Sequence, residues 1–188
     1  MEGWLTHSQL SRELILMSRY MEAYMSKLAN LAILCEDDQY AAPRLGFKVF
    51  NRILDWITSE RLQLINATAR IDEIVHKSGV CEGMVNLQSL HTTTAVFVNE
   101  WQDALLHDIK TFLEDIVLRD RGWRHNNPEY SDCQRRNADS HLRGMLMGQS
   151  LSLQVRNSAI LLGTWQSVIL AELDGPRSRS MSVQVLGV

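Results

Sequence analysis

The sequence predicts an α+β fold, in which an antiparallel β-sandwich core carries flanking helices and follows an added N-terminal amphipathic helix. Several short segments rich in β-branched residues, with two helical segments between them, favour an antiparallel sheet or sandwich with helices on the outside. Neither a regular strand–helix alternation nor a glycine-rich phosphate loop is present to indicate a parallel sheet. The 188 residues suffice for one well-packed core and are too few for two ordinary domains.

Residues 1–45 are predicted to form a helical extension and linker, and residues 46–188 the main domain. In the extension, apolar side chains recur every three or four residues and therefore share one helix face. Thr6 and Gln9 have the spacing of a capping box at the start of this helix. The helix either binds a partner or another copy of the chain, or packs on its own domain. The apolar stripe consists of Leu10, Leu14, Met17, Met21, Tyr24, Leu28, Leu31 and Cys35.

The main domain is predicted to alternate strands with a few helices. Helices are expected at 69–77, 101–118 and 141–147, with Thr68 and Asn137 as N-caps and Gly79 as the stop of the first. Between the last two helices, residues 119–136 form a long polar loop, which is typical of a functional or a disordered segment. Strands are expected at 47–57, 84–90, 94–98, 151–155, 159–162, 165–173 and 180–186.

Composition limits the classes of partner and the compartment. The net charge of −3 and the pI near 6.1 give no broad attraction to nucleic acid or to an anionic membrane. Three widely spaced cysteines argue against a disulfide framework and favour a reducing compartment. No apolar run approaches the roughly 20 residues of a membrane span, and the N-terminus lacks the pattern of a secretion signal. We therefore expect a cytoplasmic protein that binds neither nucleic acid nor membrane.

Three of the six histidines stand among other side chains that can do chemistry. His91 ends a predicted strand, His125 lies in the long loop, and His141 begins a predicted helix. Neutral imidazole is the commonest protein ligand for zinc and a frequent general base. A single histidine is more often a solvated or satisfied side chain, and we interpret His7, His76 and His107 in that way. Spacing alone does not decide whether the first three meet in the fold.

Five carboxylates are further candidates: Glu100, Asp108, Asp139, Glu172 and Asp174. Glu100 follows an apolar strand, where it is either a metal ligand or general base, or an acid stabilised by the N-terminus of the next helix. Glu172 interrupts an apolar strand, which a solvent-facing position explains as well as catalysis does.

The C-terminal segment contains an aromatic and an arginine candidate. Trp165 and Gln166 follow Gly-Thr, a pattern that suits stacking on a heteroaromatic ring, although a buried core tryptophan is the plainer interpretation. Arg177 and Arg179 follow a tight turn at 174–176. Arginine forks match phosphate bidentately, but a solvated hairpin with ordinary ion pairs explains them equally.

Seven motifs occur here in the order seen in the YjbQ family, also called the secondary thiamine-phosphate synthase family. The chain resembles this family over about residues 53–188, and the N-terminal helix lies outside the resemblance. Each motif is weak alone, and the ordered set is specific. The motifs are SGVCEG at 78–83, HTT at 91–93, NE at 99–100, Asn137 with HL at 141–142, GQS at 148–150, LGTWQ at 162–166 and ELDGPRSR at 172–179.

The resemblance implies a β-sandwich that assembles as a homotrimer, with a pocket for a small phosphorylated heterocyclic substrate. It implies thiamine phosphate synthase activity, which joins hydroxymethylpyrimidine diphosphate to thiazole phosphate and releases pyrophosphate. Alternatives are a metal-dependent hydrolase of a small phosphorylated metabolite and a non-catalytic interaction module. The implied site has His91, His125 and His141 around a divalent metal ion, zinc or magnesium. Glu100, Asp108 and His141 are its catalytic residues, and Thr92, Thr93, Asn99, Asn137, Trp165, Gln166 and Arg177 bind the substrate.

Overall fold

The computed structural model describes residues 46–188, so the predicted N-terminal amphipathic helix lies outside the described residues. The predicted domain boundary at residue 45 therefore stays a prediction. The strands are β1 (Lys48–Ile57), β2 (Gln63–Asn66), β3 (Glu82–Ser89), β4 (Thr94–Glu100), β5 (Ser150–Arg156), β6 (Ala159–Ile160), β7 (Gln166–Glu172) and β8 (Ser178–Gly187). The helices are α1 (Thr68–Ser78), α2 (Asp103–Ile116) and α3 (Ala138–Met147), with a 3-10 turn at Arg124–Asn126.

The strands form two antiparallel sheets. The larger sheet has the order β1-β8-β3-β5-β6, and the smaller has the order β2-β7-β4. β8 lies between β1 and β3 and pairs with both, so it joins the start of the domain to its middle. The predicted α+β sandwich with helices outside it is confirmed.

Alternation of side chains explains why the two sheets pack face to face. In β8 every second side chain is buried, including Met181 and Val183, and these side chains meet those of the smaller sheet in the main core. In β7 both faces are buried: Val168 faces the main core, while Ile169 joins a second cluster with α2 residues such as Leu113. The smaller sheet is thus a middle layer, which accounts for the continuous apolar run in β7.

The helices agree with the prediction in position, but neither predicted N-cap residue makes a side-chain capping hydrogen bond. Gly79 ends α1 in the left-handed conformation with φ of 65°, as predicted. Thr68 does not cap α1, because its hydroxyl accepts a hydrogen bond from the Val168 N–H at 2.9 Å. Asn137 occupies the N-cap position of α3, as predicted, but makes no side-chain capping hydrogen bond, and its amide donates to Asp174. No helix within residues 46–188 combines the length and apolarity needed to cross a membrane.

Beyond the helix caps, the sequence analysis missed one strand and misinterpreted one residue. β2 was not predicted, because four residues are too short to show an alternating pattern. Glu172 is not on a solvent-facing strand surface: it is fully buried and pairs with Arg179. Since both faces of β7 are covered, a carboxylate there needs a buried cation as its partner.

Candidate functional site

A cavity of about 310 Å³ opens between the polar loop and the first turn of α3. One wall comes from the loop and the other from the helix, so two segments that are separate in sequence define it. Its walls are mainly apolar, apart from two imidazoles and one guanidinium. The lining residues are Trp123, Arg124, His125, Ala138, His141 and Leu142.

His125 and His141 are in edge-to-face contact at this cavity. Their ring centroids lie 5.0 Å apart, with the ring planes at 88°. The Nδ1 atom of His125 is 3.5 Å from the Ser131 hydroxyl, whereas its Nε2 atom is buried and has no hydrogen-bond partner. A buried polar atom without a partner is uncommon and points to a ligand, ion or water at that place.

The environment keeps His141 in its neutral form. Burial, followed by the nearby His125, lowers the pKa of His141 below its usual value, although Asp174 and Asp139 oppose this effect. An unprotonated imidazole can accept a proton or bind a metal ion. His141 is therefore suited to act as a base or ligand near neutral pH.

Buried ion pairs fix the first turn of α3, from which His141 projects. Asp139 is fully buried and lies 3.1 Å from Arg61 and 3.4 Å from Arg143. Arg143 also donates to the carbonyl of Val117 at 2.8 Å, which ties α3 to the end of α2. These contacts hold the helix, and with it the imidazole, against the rest of the domain.

A second buried carboxylate, Asp174, gathers three arginines just after β7. Arg61 and Arg135 lie 3.0 Å and 2.9 Å from its oxygens, and Arg177 lies 3.9 Å away. Asn137 donates to the same carboxylate at 2.8 Å. Burial favours a raised pKa for Asp174, but the hydrogen bonds from Asn137 and Arg135, with the charges of Arg135 and Arg61, hold its pKa below the usual value.

The two ion-pair groups share Arg61 and leave an excess of positive charge. Four guanidinium groups face two carboxylates, so the cluster has a surplus of two positive charges. Asp139 and Asp174 act electrostatically on His141, which places the cluster beside the cavity. Arginine-rich surroundings of this kind suit an anionic group such as a phosphate or carboxylate.

His91, the third predicted metal ligand, is engaged differently and does not line the cavity. Its Nε2 atom accepts a hydrogen bond from the Ser180 N–H at 2.9 Å. Within residues 46–188, no three His, Cys, Asp or Glu side chains are grouped so as to hold a metal ion. The three-imidazole metal site stays a prediction. The structure brings His125 and His141 into contact, and His91 is engaged elsewhere.

The other predicted site residues lie outside the cavity, for example in the ion pair between the sheets, on the exposed face of α2 or at the start of β7. Thr93 is buried and accepts a hydrogen bond from Arg179 at 2.9 Å, so it belongs to the ion pair between the sheets. Asp108 is exposed on α2 beside His107, away from the buried carboxylates. Gln166 accepts the Gly163 N–H with its side chain. The predicted residues that do not line the cavity are His91, Thr92, Thr93, Asn99, Glu100, Asp108, Asn137, Trp165, Gln166 and Arg177.

Sequence reasoning missed most of the cavity wall and part of the arginine cluster. Trp123 is a large aromatic residue within a polar loop, and that contrast was a usable signal. Arg61 and Arg135 carry no such signal, because isolated arginines in polar segments are normally solvated. Their role depends on Asp139 and Asp174 being buried, which only the fold reveals.

Comparison with known proteins identifies the family. Residues 53–188 match the family model described as UPF0047 protein YjbQ-like. The chain belongs to the YjbQ/UPF0047 family. A UPF0047 protein of Methanothermobacter thermautotrophicus is 41% identical over 140 residues, which are 74% of this chain and 94% of the relative. One from Archaeoglobus fulgidus is 35% identical and covers 69% of this chain and 95% of its own length.

Solved structures of YjbQ-like proteins have the same fold. A YbjQ-like protein of unknown function from Sulfolobus solfataricus is 32% identical, with a TM-score of 0.71 over 76% of this chain and 100% of its own. A hypothetical protein from Aeropyrum pernix is 31% identical, with a TM-score of 0.68 over 74% of this chain and 99% of its own.

The comparisons correct the functional expectation. The relatives from Methanothermobacter thermautotrophicus and Bacillus subtilis are described as UPF0047 proteins, and the Sulfolobus structure as one of unknown function. Nothing in these relatives supports thiamine phosphate synthase activity, so that prediction was wrong. It came from the name attached to the family and not from the chemistry of the site.

Proposed function

We propose that the domain binds a small anionic compound with a flat ring and performs general acid–base chemistry on it. The observation that carries this proposal is the contact between His125 and His141 at the cavity, with the buried Nε2 atom of His125 unpartnered. A phosphorylated heterocycle fits best, because a tryptophan wall, two imidazoles and an arginine cluster occur in one region.

Each group has a distinct role in this proposal. The neutral His141 accepts a proton from the substrate, and His125 donates or relays one through its free Nε2 atom. Trp123, whose indole N–H donates to the Leu118 carbonyl at 2.7 Å, offers a fixed ring face. The surplus charge of the arginine cluster offsets the charge of the anionic group. Asp139 keeps α3, and so His141, in place.

Ligand titration followed by histidine NMR resonances tests the proposal. Uridine monophosphate and inorganic phosphate serve as probes of the ring and the anion. We expect both to shift the His125 and His141 resonances, with uridine monophosphate binding several-fold more tightly than phosphate. His125→Ala and His141→Ala should weaken binding at least tenfold, whereas His107→Ala should not, because His107 is exposed on α2. Equal binding by all three variants would contradict the proposal.

A divalent metal ion at the same place remains a separate proposal. Two imidazoles would supply two ligands, and nitrogen donors suit zinc better than magnesium, which prefers oxygen. The remaining ligands would come from water, the substrate or a neighbouring subunit. Isothermal titration with zinc should show stoichiometric binding that His141→Ala removes and His107→Ala keeps. Equal zinc binding by both variants, or none by the wild-type protein, would count against this site.

We also propose that the domain assembles as a homotrimer through the outer face of the larger sheet. Val49, Ile53 and Ile57 on β1 are exposed, and Met84 on β3 shares this face, since Val49 and Met84 both pair with Leu186. Exposed apolar rows of this kind are typical of interfaces. Ile53→Asp should reduce the mass measured by light scattering to that of a monomer, whereas Phe112→Asp, at an exposed apolar residue of α2, should not.

We also propose that the protein is cytoplasmic and that residues 46–188 fold as an independent domain. Cys81 and Cys133 are free thiols, as a reducing compartment would leave them. The family match begins at residue 53, and the eight strands of the described residues all lie within residues 48–187. A protein of residues 46–188 should unfold cooperatively near the melting temperature of the full chain. Aggregation or a non-cooperative transition would contradict this boundary.

A further inference from the structure

We propose that Arg135 is a positioning residue that latches the loop of residues 119–136 onto Asp174 and so holds His125 against His141. The inference deepens the proposed function and rests on it, because it concerns how the same imidazole pair is assembled. Arg135 does not line the cavity, so its role is exerted through the loop.

Few hydrogen bonds of the loop reach beyond the loop itself. Its regular structure is one 3-10 turn, Arg124–Asn126, which contains His125. The Trp123 indole donates to the Leu118 carbonyl at 2.7 Å, and the Asn126 side chain accepts the Ala138 N–H at 3.0 Å. Among the described residues, the loop's hydrogen bonds other than those of Arg135 stay within it or reach residues directly before and after it. Such contacts shape the loop without attaching it to a sheet.

Arg135 supplies the attachment. Its Nε atom donates to the Asp174 carboxylate at 2.9 Å, and its Nη2 atom donates to the Asp174 carbonyl at 3.0 Å. Two bonds from one planar guanidinium fix orientation as well as distance, which a single ammonium group cannot do. The end of the loop is thereby joined to the segment directly after β7.

Asp174 is buried and held by other residues, whereas the Arg135 side chain is partly exposed. Asp174 is fully buried and keeps hydrogen bonds from Asn137 at 2.8 Å and Arg61 at 3.0 Å when Arg135 is removed. The Arg135 side chain is 44% exposed, so its loss opens no cavity in the core. Substitution of Arg135 should therefore free the loop while the domain stays folded.

Two measurements on the ligand-free full chain test the latch. The first is the nuclear Overhauser contact between the ring protons of His125 and His141, and the second is the rate of chymotrypsin cleavage after Trp123 and Tyr130. In Arg135→Gln we expect the ring contact to disappear and cleavage to accelerate several-fold, with a melting temperature close to that of the wild type. Arg135→Lys should retain part of the contact. Arg119→Gln removes an equal charge from an exposed arginine of the same loop and should change neither measurement.

Several outcomes would overturn the inference. An unchanged ring contact in Arg135→Gln would show that the loop is held without the latch. If Arg119→Gln lost the ring contact to the same extent, the effect would come from the change in charge alone. If Arg135→Gln unfolded, Arg135 would act on the stability of the whole domain. Because no ligand is added, these results are independent of whether the proposed acid–base function is correct.

Discussion

Glu172 and Arg179 form a two-bonded salt bridge that connects the two sheets of the sandwich. The Nε and Nη2 atoms of Arg179 each lie 2.6 Å from a Glu172 oxygen, and both residues are almost completely buried. Thr93 accepts from Arg179, and Thr58 donates to Glu172. The hydrogen bonds of both side chains are thus made within the protein. Because both residues are buried, removal of either charge leaves the other without a counter-ion.

Replacing Glu172 with Gln should destabilise the domain strongly. The buried Arg179 would lose its counter-ion, a change that costs about 3–5 kcal/mol in comparable buried pairs. Urea denaturation would measure the loss as a lower midpoint with an unchanged slope. Glu73→Gln breaks the exposed pair with Lys77 on α1 and should cause no measurable change. A small effect in Glu172→Gln would show that water reaches the pair.

Stability should depend on pH through His91. Burial and the nearby charge of Arg179 lower the pKa of His91 below 6.5, and its Nε2 atom must be unprotonated to accept the Ser180 N–H. The unfolded chain therefore binds more protons below pH 6.5, and stability falls as the pH decreases from 6.5 towards the folded-state pKa.

Two histidine variants test how much of the pH dependence of stability comes from His91. His91→Gln keeps an acceptor for Ser180 and cannot be protonated, so thermal melts between about pH 5 and pH 7 should show a shallower decline. His107→Gln, at an exposed position of α2, should keep the wild-type decline. Identical profiles for His91→Gln and the wild type would mean that another group dominates.

Gly83 should not tolerate a side chain. A Cβ atom there would lie 2.0 Å from the Leu186 carbonyl oxygen, within the β3–β8 ladder. Gly83→Ala must therefore displace one strand, and we expect a loss of about 1–3 kcal/mol or more in the free energy of unfolding. Gly46→Ala is the matched control, because nothing lies within 4 Å of its Cβ position. Equal stability of the two variants would contradict the tight strand approach.

Asn137→Asp should place a carboxylate against Asp174. Asn137 is buried and donates to Asp174 at 2.8 Å, so the substitution replaces a hydrogen bond with repulsion. The melting temperature at pH 7 should fall further than in Asn137→Ala, which loses the hydrogen bonds to Asp174 and Cys133 without adding a charge. Such a loss costs about 1–3 kcal/mol in the free energy of unfolding. Acidification to about pH 4 should narrow the difference between the variants as a carboxylate is protonated. A constant difference would contradict the repulsion.

Local patterns in the sequence predicted the fold better than the site. Alternation in β8 and the stop at Gly79 depend on neighbouring residues, so both could be recognised without the fold. The contact between His125 and His141 depends on where a loop without a periodic pattern lies. Glu172 was misinterpreted because its partner, Arg179, follows the intervening turn and belongs to the other sheet.

The central place of β8 in the larger sheet also bears on how the domain folds. Lys48 pairs with Gly187 and Ile57 with Ser178, so the β1–β8 ladder joins segments from opposite ends of the domain. β3 also pairs with β8, and it cannot bind β1 directly while β8 lies between them. Contacts this distant in sequence slow folding, because the loop entropy is lost before the pairing compensates for it. The larger sheet should therefore form late, and nascent chains that lack β8 should expose two unpaired strand edges to chaperones.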